Sequence, residues 1–237
     1  MIPRLRVVDL VKRFDRSLAI DHLSFDLDRG EALGLLGPNG AGKTTTFLCL
    51  AGLLRPDGGS IAVDGAPVVR GRGATIALIP ETPDVYPMLS VWEHLAFVAR
   101  STRLGAGWQE RASALLERFG LTSARDTLGQ ELSKGMRQKT LIAATVLADT
   151  PILLFDEPMI GLDPRGQREL RALIRSLVAG GASVIISTHQ IEAVESLCDR
   201  LVIMKDGRAV ANAAIGDLRE GAGDLRSLED IFLEITA

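Results

Sequence analysis

Only two cysteines occur in the 237 residues, Cys49 and Cys198, far apart and each in an apolar helical context. That excludes a disulfide-stapled scaffold and leads us to expect buried thiols in a reducing compartment. The three histidines, His22, His94 and His189, show no metal-ligand spacing with those cysteines. No apolar run approaches the roughly 18–20 residues that a membrane-spanning helix needs. The first residues, Met1-Ile2-Pro3-Arg4-Leu5-Arg6, lack the apolar stretch of a signal peptide. A soluble, cytoplasmic protein is the expectation. A large basic excess is also missing: the net charge is -3 and the sequence pI about 5.7. A broad nucleic-acid-binding face is therefore disfavoured and no nucleic-acid partner is expected, although a local basic patch stays open. There is no internal repeat and no low-complexity segment. What remains, 46% hydrophobic and 24% charged residues, has the balance of a globular protein with a sizeable core.

Against that plain background one stretch stands out. Gly37-Pro38-Asn39-Gly40-Ala41-Gly42-Lys43-Thr44-Thr45 fills the pattern G-x-x-x-x-G-K-[ST]. Ala32–Leu36, just upstream, is a short apolar run that reads as a buried strand. From Thr44 to Leu54, residues Phe47, Leu48, Leu50, Ala51 and Leu54 fall at helical spacing. Strand, glycine loop and helix is the context in which this pattern binds phosphate. The glycines let the backbone wrap a polyphosphate, and the helix dipole adds to the field of the inward N–H groups. Lys43 is expected to reach the β- and γ-phosphates and Thr44 to ligate Mg²⁺. A chance glycine turn would rarely also supply the lysine and the hydroxyl.

Taken in order, Arg6–Phe14 and Ile20–Asp28 alternate apolar with polar residues as half-buried strands do. Ile61–Val63 and Val68–Val69 flank Asp64-Gly65-Ala66-Pro67, which predicts a hairpin. These early strands are expected to form an antiparallel layer, while Thr75–Ile79 reads as a core strand. The middle changes character. Ser90-Val91-Trp92-Glu93 is a capping box opening a helix to about Arg103. Two more helices, Trp108–Phe119 and Lys134–Ala148, follow without intervening strands, so about 82–147 reads as a helical insert. Strands then alternate with helices: Ile152–Asp156, Arg165–Ala179, Ser183–Ser187, Ile191–Cys198 and Leu201–Lys205. That alternation argues for a mainly parallel sheet with crossover helices, an α/β P-loop NTPase core. The tail, about 217–237, is expected to pack as short helices.

Ile152-Leu153-Leu154-Phe155 runs into Asp156-Glu157-Pro158. An acid ending a buried strand is costly unless a cation or donors compensate it. The phosphate loop supplies the reason: Asp156 can hold Mg²⁺ or its waters, and Glu157 can take a proton from, or orient, an attacking water.

With these two stretches in place, the chain resembles, over essentially its whole length, the ATP-binding subunit of an ABC transporter. Leu132-Ser133-Lys134-Gly135-Met136-Arg137-Gln138 is similar to the family's signature motif, Gly161-Leu162-Asp163-Pro164 to its D-loop, and Ser187-Thr188-His189 to its switch histidine. Phe14 stands where the family places an adenine-stacking aromatic. The resemblance implies one ATPase domain spanning 1–237 that pairs head-to-tail with a second copy, sandwiching two ATP and powering a transmembrane permease subunit from the cytoplasmic face of the membrane. It implies that Ser133 and Gly135 contact the γ-phosphate held by the partner subunit and that His189 contacts the γ-phosphate of its own. On their own residues these positions read more blandly. Ser133 before Gly135 is an ordinary helix N-cap, His189 a hydrogen-bonded histidine, and Phe14 core as readily as a stacking platform.

The chain departs from the family pattern in places. Ile79-Pro80-Glu81 stands where the Q-loop normally has Gln; Glu81 is expected near Mg²⁺ or the attacking water, with a charge repulsion an amide avoids. Lys134 and Met136 replace Gly and Gln of the signature. Together with Leu228-Glu229-Asp230-Ile231-Phe232-Leu233, these departures resemble the ABC-2 type branch, mostly bacterial exporters. Asp84–Leu89 offers apolar groups either for docking the permease or for packing on its own domain. Two rival classes fit less well. A non-transport ABC ATPase acting on ribosomes or DNA would usually carry paired ATPase domains or long coiled coils, and neither is seen. Of a P-loop kinase or GTPase, the GTPase would carry Asn-Lys-x-Asp, which is absent, and the kinase has no role for the signature and switch histidine.

Overall fold

The computed structural model describes residues 2–15, 17–68, 75–222 and 227–236. Two sheets organise it. β1 (Leu5–Phe14), β2 (Ser17–Leu27), β4 (Gly58–Val63) and β5 (Ala66–Pro67) form an antiparallel sheet in the order β2-β1-β4-β5. β3 (Ala32–Leu36), β6 (Ile76–Ile79), β7 (Ile152–Asp156), β8 (Ser183–Thr188), β9 (Arg200–Lys205) and β10 (Arg208–Ala214) form the second, in the order β10-β9-β3-β8-β7-β6. Every pairing in it is parallel except β9 with β10.

Alternation along the central strands assigns each face its partner. Leu33, Leu35, Ile152, Leu154, Ile185, Val202 and Met204 turn toward the antiparallel sheet, where they share a core with Leu5, Leu10, Leu23 and Leu27. Phe47 and Leu50 of α1 (Lys43–Leu50) complete that layer. The intervening Leu153, Phe155, Val184, Ile186, Leu201 and Ile203 face a second core built by helices. These are α2 (Val91–Ser101), α3 (Trp108–Arg118), α4 (Lys134–Leu147), α5 (Pro164–Ala179) and α6 (Ile191–Leu197). With both faces covered, β3, β7 and β8 are buried along their whole length. Each fully buried Leu, Ile or Phe contributes about 1.5–3 kcal/mol, so the two cores dominate the fold's stability.

Several elements differ in detail from the sequence reading. The returning strand of the hairpin already begins at Ala66–Pro67, because a tight Asp64-Gly65 turn with both φ positive, 51° and 79°, closes it there, and Val68 N–H continues the pairing to the Ile61 carbonyl at 2.9 Å. Val69 lies outside the described residues. α1 ends at Leu50, and Ala51 then caps the helix. Strand β10 carries no alternating apolar signal; it reads RAVANAA, is at most half-buried, and exists as an edge paired to β9. Between β6 and β7 the described chain contains helices and two short 3₁₀ turns, Thr122–Ala124 and Gly129–Glu131, and no strand of either sheet. The capping box at α2 forms: Ser90 N–H donates to Glu93 at 2.7 Å, and Glu93 N–H to Ser90 Oγ at 3.2 Å. The Ser90 N–H, and after it the Ser90 hydroxyl, hold the Glu93 carboxyl below the usual carboxylate range. Toward the end, Leu228 of α8 (Leu228–Thr236) joins the helical core, and Ile215 and Leu218 of α7 (Ile215–Ala222) pack against it. Both cysteines are free and buried, and burial pushes the Cys49 thiol up to about 11.

Candidate active site

Parallel register brings the chemistry to one edge. Leu36 pairs with Thr188, Asp156 with Ser187, and Ile79 with Phe155, so β3, β6, β7 and β8 end level with one another. The phosphate loop, Glu81, Asp156-Glu157 and His189 all follow from those carboxyl ends, where open parallel sheets bind ligands. A cavity of about 360 Å³ opens there, lined by Ala19, the run Asn39, Gly40, Ala41, Gly42, Lys43, Thr44 and Thr45, and the acids Glu81, Asp156 and Glu157.

The loop's conformation depends on Gly42. It sits at φ 99° as the residue capping α1, and a Cβ there would lie 2.4 Å from the Ala19 carbonyl oxygen. Any side chain would both strain the backbone and push β2 off the loop. Lys43 folds back so that Nζ donates to the carbonyls of Gly37 (2.7 Å) and Pro38 (3.2 Å), and it lies 3.9 Å from Glu157 Oε1. Burial lowers the lysine's pKa from its ordinary value, against an opposing pull from Glu157, Asp156 and Glu81.

The two acids at the end of β7 are held differently. Asp156 Oδ2 accepts from the Thr44 hydroxyl at 2.8 Å, and its Oδ1 accepts a short bond from Ser187 Oγ. Glu157 Oε2 accepts from Thr188 Oγ1 at 3.0 Å, and Oε1 from His189 Nδ1 at 2.8 Å. Glu157 also sits at φ 45°, a left-handed backbone that costs a residue with a Cβ about 1–2 kcal/mol. Its N–H is tied to the Ser187 carbonyl at 3.1 Å and to Ser187 Oγ at 3.2 Å, which keeps it there.

Ser187 and Thr188 received no role of their own from the sequence. The signal was present: two hydroxyls ending the apolar strand Val184-Ile185-Ile186, level with the two acids ending β7. The other expected residues are placed as follows. His189 is half-exposed and reaches the site through Glu157. Gly37 and Pro38 serve through their carbonyls. Phe14 is 46% exposed near the β1–β2 turn, with Lys12 Nζ 5.4 Å from its ring centre, and does not line the cavity. Ser133 and Gly135 are also outside the cavity of their own chain. Ser133 caps α4 by accepting from Met136 N–H, and Gly135 lies against the Gly161 carbonyl.

Comparison with known proteins identifies this arrangement. The family model described as ABC transporter matches residues 20–160. The chain belongs to the ABC transporter family. It is 35% identical to the SkfA peptide export ATP-binding protein SkfE of Bacillus subtilis (strain 168) over 223 residues, 92% of each chain. It is 40% identical to the Nod factor export ATP-binding protein I of Burkholderia pseudomallei (strain 1710b) over 207 residues, covering 86% of this chain and 68% of that one. A solved structure of an ATP binding subunit of an ABC transporter superposes with a TM-score of 0.93 at 34% identity, covering 98% of this chain and 99% of the other. The protein is thus an ATP-binding ABC subunit, of a family of ATPases that power transport, and the α/β P-loop architecture expected from the sequence is the one observed.

Proposed function

We propose that the chain hydrolyses ATP to drive an ABC-2 type exporter, and that the cavity at the strand ends is where it does so. The observation that carries the reading is the convergence of Lys43, Thr44, Asp156 and Glu157 on that cavity from the ends of two strands, with His189, after a third, bonded to Glu157. Both relatives described above are named as export ATP-binding proteins, one for a peptide and one for Nod factor.

On this reading the loop N–H groups and Lys43 bind the β- and γ-phosphates, with Lys43 exchanging its loop carbonyls for phosphate oxygen. The hard oxygen donors of Thr44 and Asp156, already hydrogen-bonded to each other beside the cavity, fit Mg²⁺, and Glu81 is the third donor on that wall. When bound, Mg²⁺ would neutralise phosphate charge. Glu157, fixed at both carboxylate oxygens, orients the water and accepts its proton. Lys43 and His189 stabilise charge on the transferred phosphoryl. Phe14 stacks on the adenine. Ser133 and Gly135 complete the site of a second copy in trans, which accounts for their absence from the cavity of their own chain. Such a pair closes on ATP and opens after hydrolysis.

A transmembrane permease would receive that motion at the cytoplasmic face. No helix among the described residues is long and apolar enough to cross a membrane, so the spanning part belongs to a partner on this reading. The docking surface is the loop Asp84–Leu89, where Tyr86 and Met88 are 57% and 71% exposed. The test has two arms. Purified protein should hydrolyse ATP with Mg²⁺ and lose turnover in Glu157→Gln. Detergent-solubilised membranes should yield a multi-span membrane protein with the wild-type chain and not with Tyr86→Glu/Met88→Glu. A chain that binds ATP yet shows no turnover, alone or with that membrane protein, would refute the reading.

A further inference from the structure

His94 is buried on α2 and takes no part in the ATP site. Its ring is nevertheless bonded on both sides. Tyr86 N–H donates to Nε2 at 2.9 Å, and Nδ1 lies 2.7 Å from the Ser90 carbonyl oxygen. A backbone N–H can only donate and a carbonyl can only accept. Nε2 must therefore offer its lone pair and Nδ1 must carry the proton, which fixes one neutral tautomer. The Tyr86 ring stacks over that imidazole at 5.9 Å and meets Phe97 edge-on at 5.4 Å, yet Tyr86 remains more than half exposed.

The rest of the loop is held by main chain. Leu89 N–H bonds the Tyr86 carbonyl at 3.2 Å, Gly129 N–H the Leu89 carbonyl at 2.8 Å, and Gln130 N–H the Pro87 carbonyl at 3.1 Å. Arg137, in the first turns of α4, donates to the carbonyls of Gly129 and Gln130, both at 3.2 Å. A Cβ on Gly129 would meet the Tyr86 carbonyl oxygen at 2.4 Å, so the loop lies directly on that 3₁₀ turn. The Tyr86 N–H alone among these loop donors depends on a side chain.

We propose that His94 is a positioning residue: as the Nδ1–H tautomer it pins the Tyr86 backbone and so sets the outward pose of Tyr86 at the start of the loop. One side of the loop is thus tied to α2 through an imidazole and the other to α4 through Arg137. Movement of either helix reaches Tyr86. That this serves coupling to a permease rests on the docking role given above to Asp84–Leu89.

Amide hydrogen exchange and imidazole nitrogen NMR on the full chain test the clamp without a partner. With three histidines in the sequence, the ring signals are assignable. His94 should show a protonated Nδ1 and an accepting Nε2. In His94→Asn, whose short amide reaches the Ser90 carbonyl but not Tyr86, the Tyr86 amide should exchange on the order of tenfold faster. His94→Gln, whose amide oxygen extends about as far as Nε2, should restore protection. Exchange at Gly129 and Gln130 and basal ATP turnover should hold steady in both. The opposite tautomer, equal Tyr86 exchange in wild type and His94→Asn, or failure of His94→Gln to rescue would overturn the proposal. If exchange behaves as stated while Tyr86→Glu still retains the membrane partner, the docking role fails and the clamp stands.

Discussion

Replacing Glu157 by Gln separates binding from chemistry. The side chain keeps its length and enough hydrogen-bonding capacity for its pocket. One amide oxygen can still accept from Thr188 Oγ1, and the NH₂ can donate to His189 Nδ1 once that ring changes tautomer. What disappears is the base and one negative charge. Loss of a general base costs about 10²–10⁴ in rate. The charge lies 3.9 Å from Lys43 Nζ, where Coulomb's law at an effective dielectric near 20 gives about 4 kcal/mol. Without it Lys43 is released for phosphate, and a carboxylate no longer repels the γ-phosphate. ATP affinity should therefore stay level or rise while single-turnover hydrolysis falls at least 100-fold. The native contact to Lys43 is lost, so the apo variant should melt slightly below wild type. Calorimetry gives the affinity and rapid-quench kinetics the hydrolysis rate. A variant with more than a tenth of wild-type single-turnover rate would show that Glu157 is not the base. One that no longer bound ATP would show that the acid is structural.

On the trans arrangement proposed above, Glu157→Gln should elute as a dimer only with ATP, and adding Ser133→Arg should return it to monomer; a dimer surviving that change, by size exclusion, argues against the helix start as the trans contact. Lys43→Ala should abolish most ATP binding, and unchanged affinity by calorimetry would remove the phosphate-loop reading. Apo Lys43→Met has a pH signature as well. Because burial lowers the folded-state pKa of Lys43, the folded protein binds fewer protons than the unfolded chain, and wild-type stability rises as pH climbs from the folded value toward the ordinary 10.5. The Met variant should lose that alkaline gain, as thermal melts across the range will show. Glu81→Gln should keep or raise ATP affinity by removing a repulsion; a collapse would mean that the site depends on Glu81 as a metal ligand. Arg200→Met should destabilise by about 2–3 kcal/mol in urea melts, since Arg200 bonds both oxygens of the largely buried Glu31 and links β9 to β2 and β10; a change below 0.5 kcal/mol, roughly the scale of an exposed ion pair, would contradict that.

The local chemistry is legible in the amino-acid sequence itself. A glycine loop must precede a helix, a lysine and a hydroxyl must follow the last glycine, and an acid ending an apolar strand must meet a cation or donors; each statement concerns a few adjacent residues. The unbroken apolar runs of Ile152–Phe155 and Val184–Ile186 likewise encode strands buried on both faces. Three things were decided only by the tertiary structure. Strand register set Asp156 level with Ser187 and Leu36 level with Thr188, giving both acids hydroxyl donors from a strand some thirty residues away. Edge pairing made a strand of Arg208–Ala214, which has little apolar pattern because one side of an edge faces water. The third is His94. Nothing in Val91-Trp92-Glu93-His94 says which ring nitrogen carries the proton, because that depends on a backbone N–H eight residues back and on the fold that delivers it. Sequence determines which groups are available along the chain; long-range packing chooses the donor and acceptor each one meets.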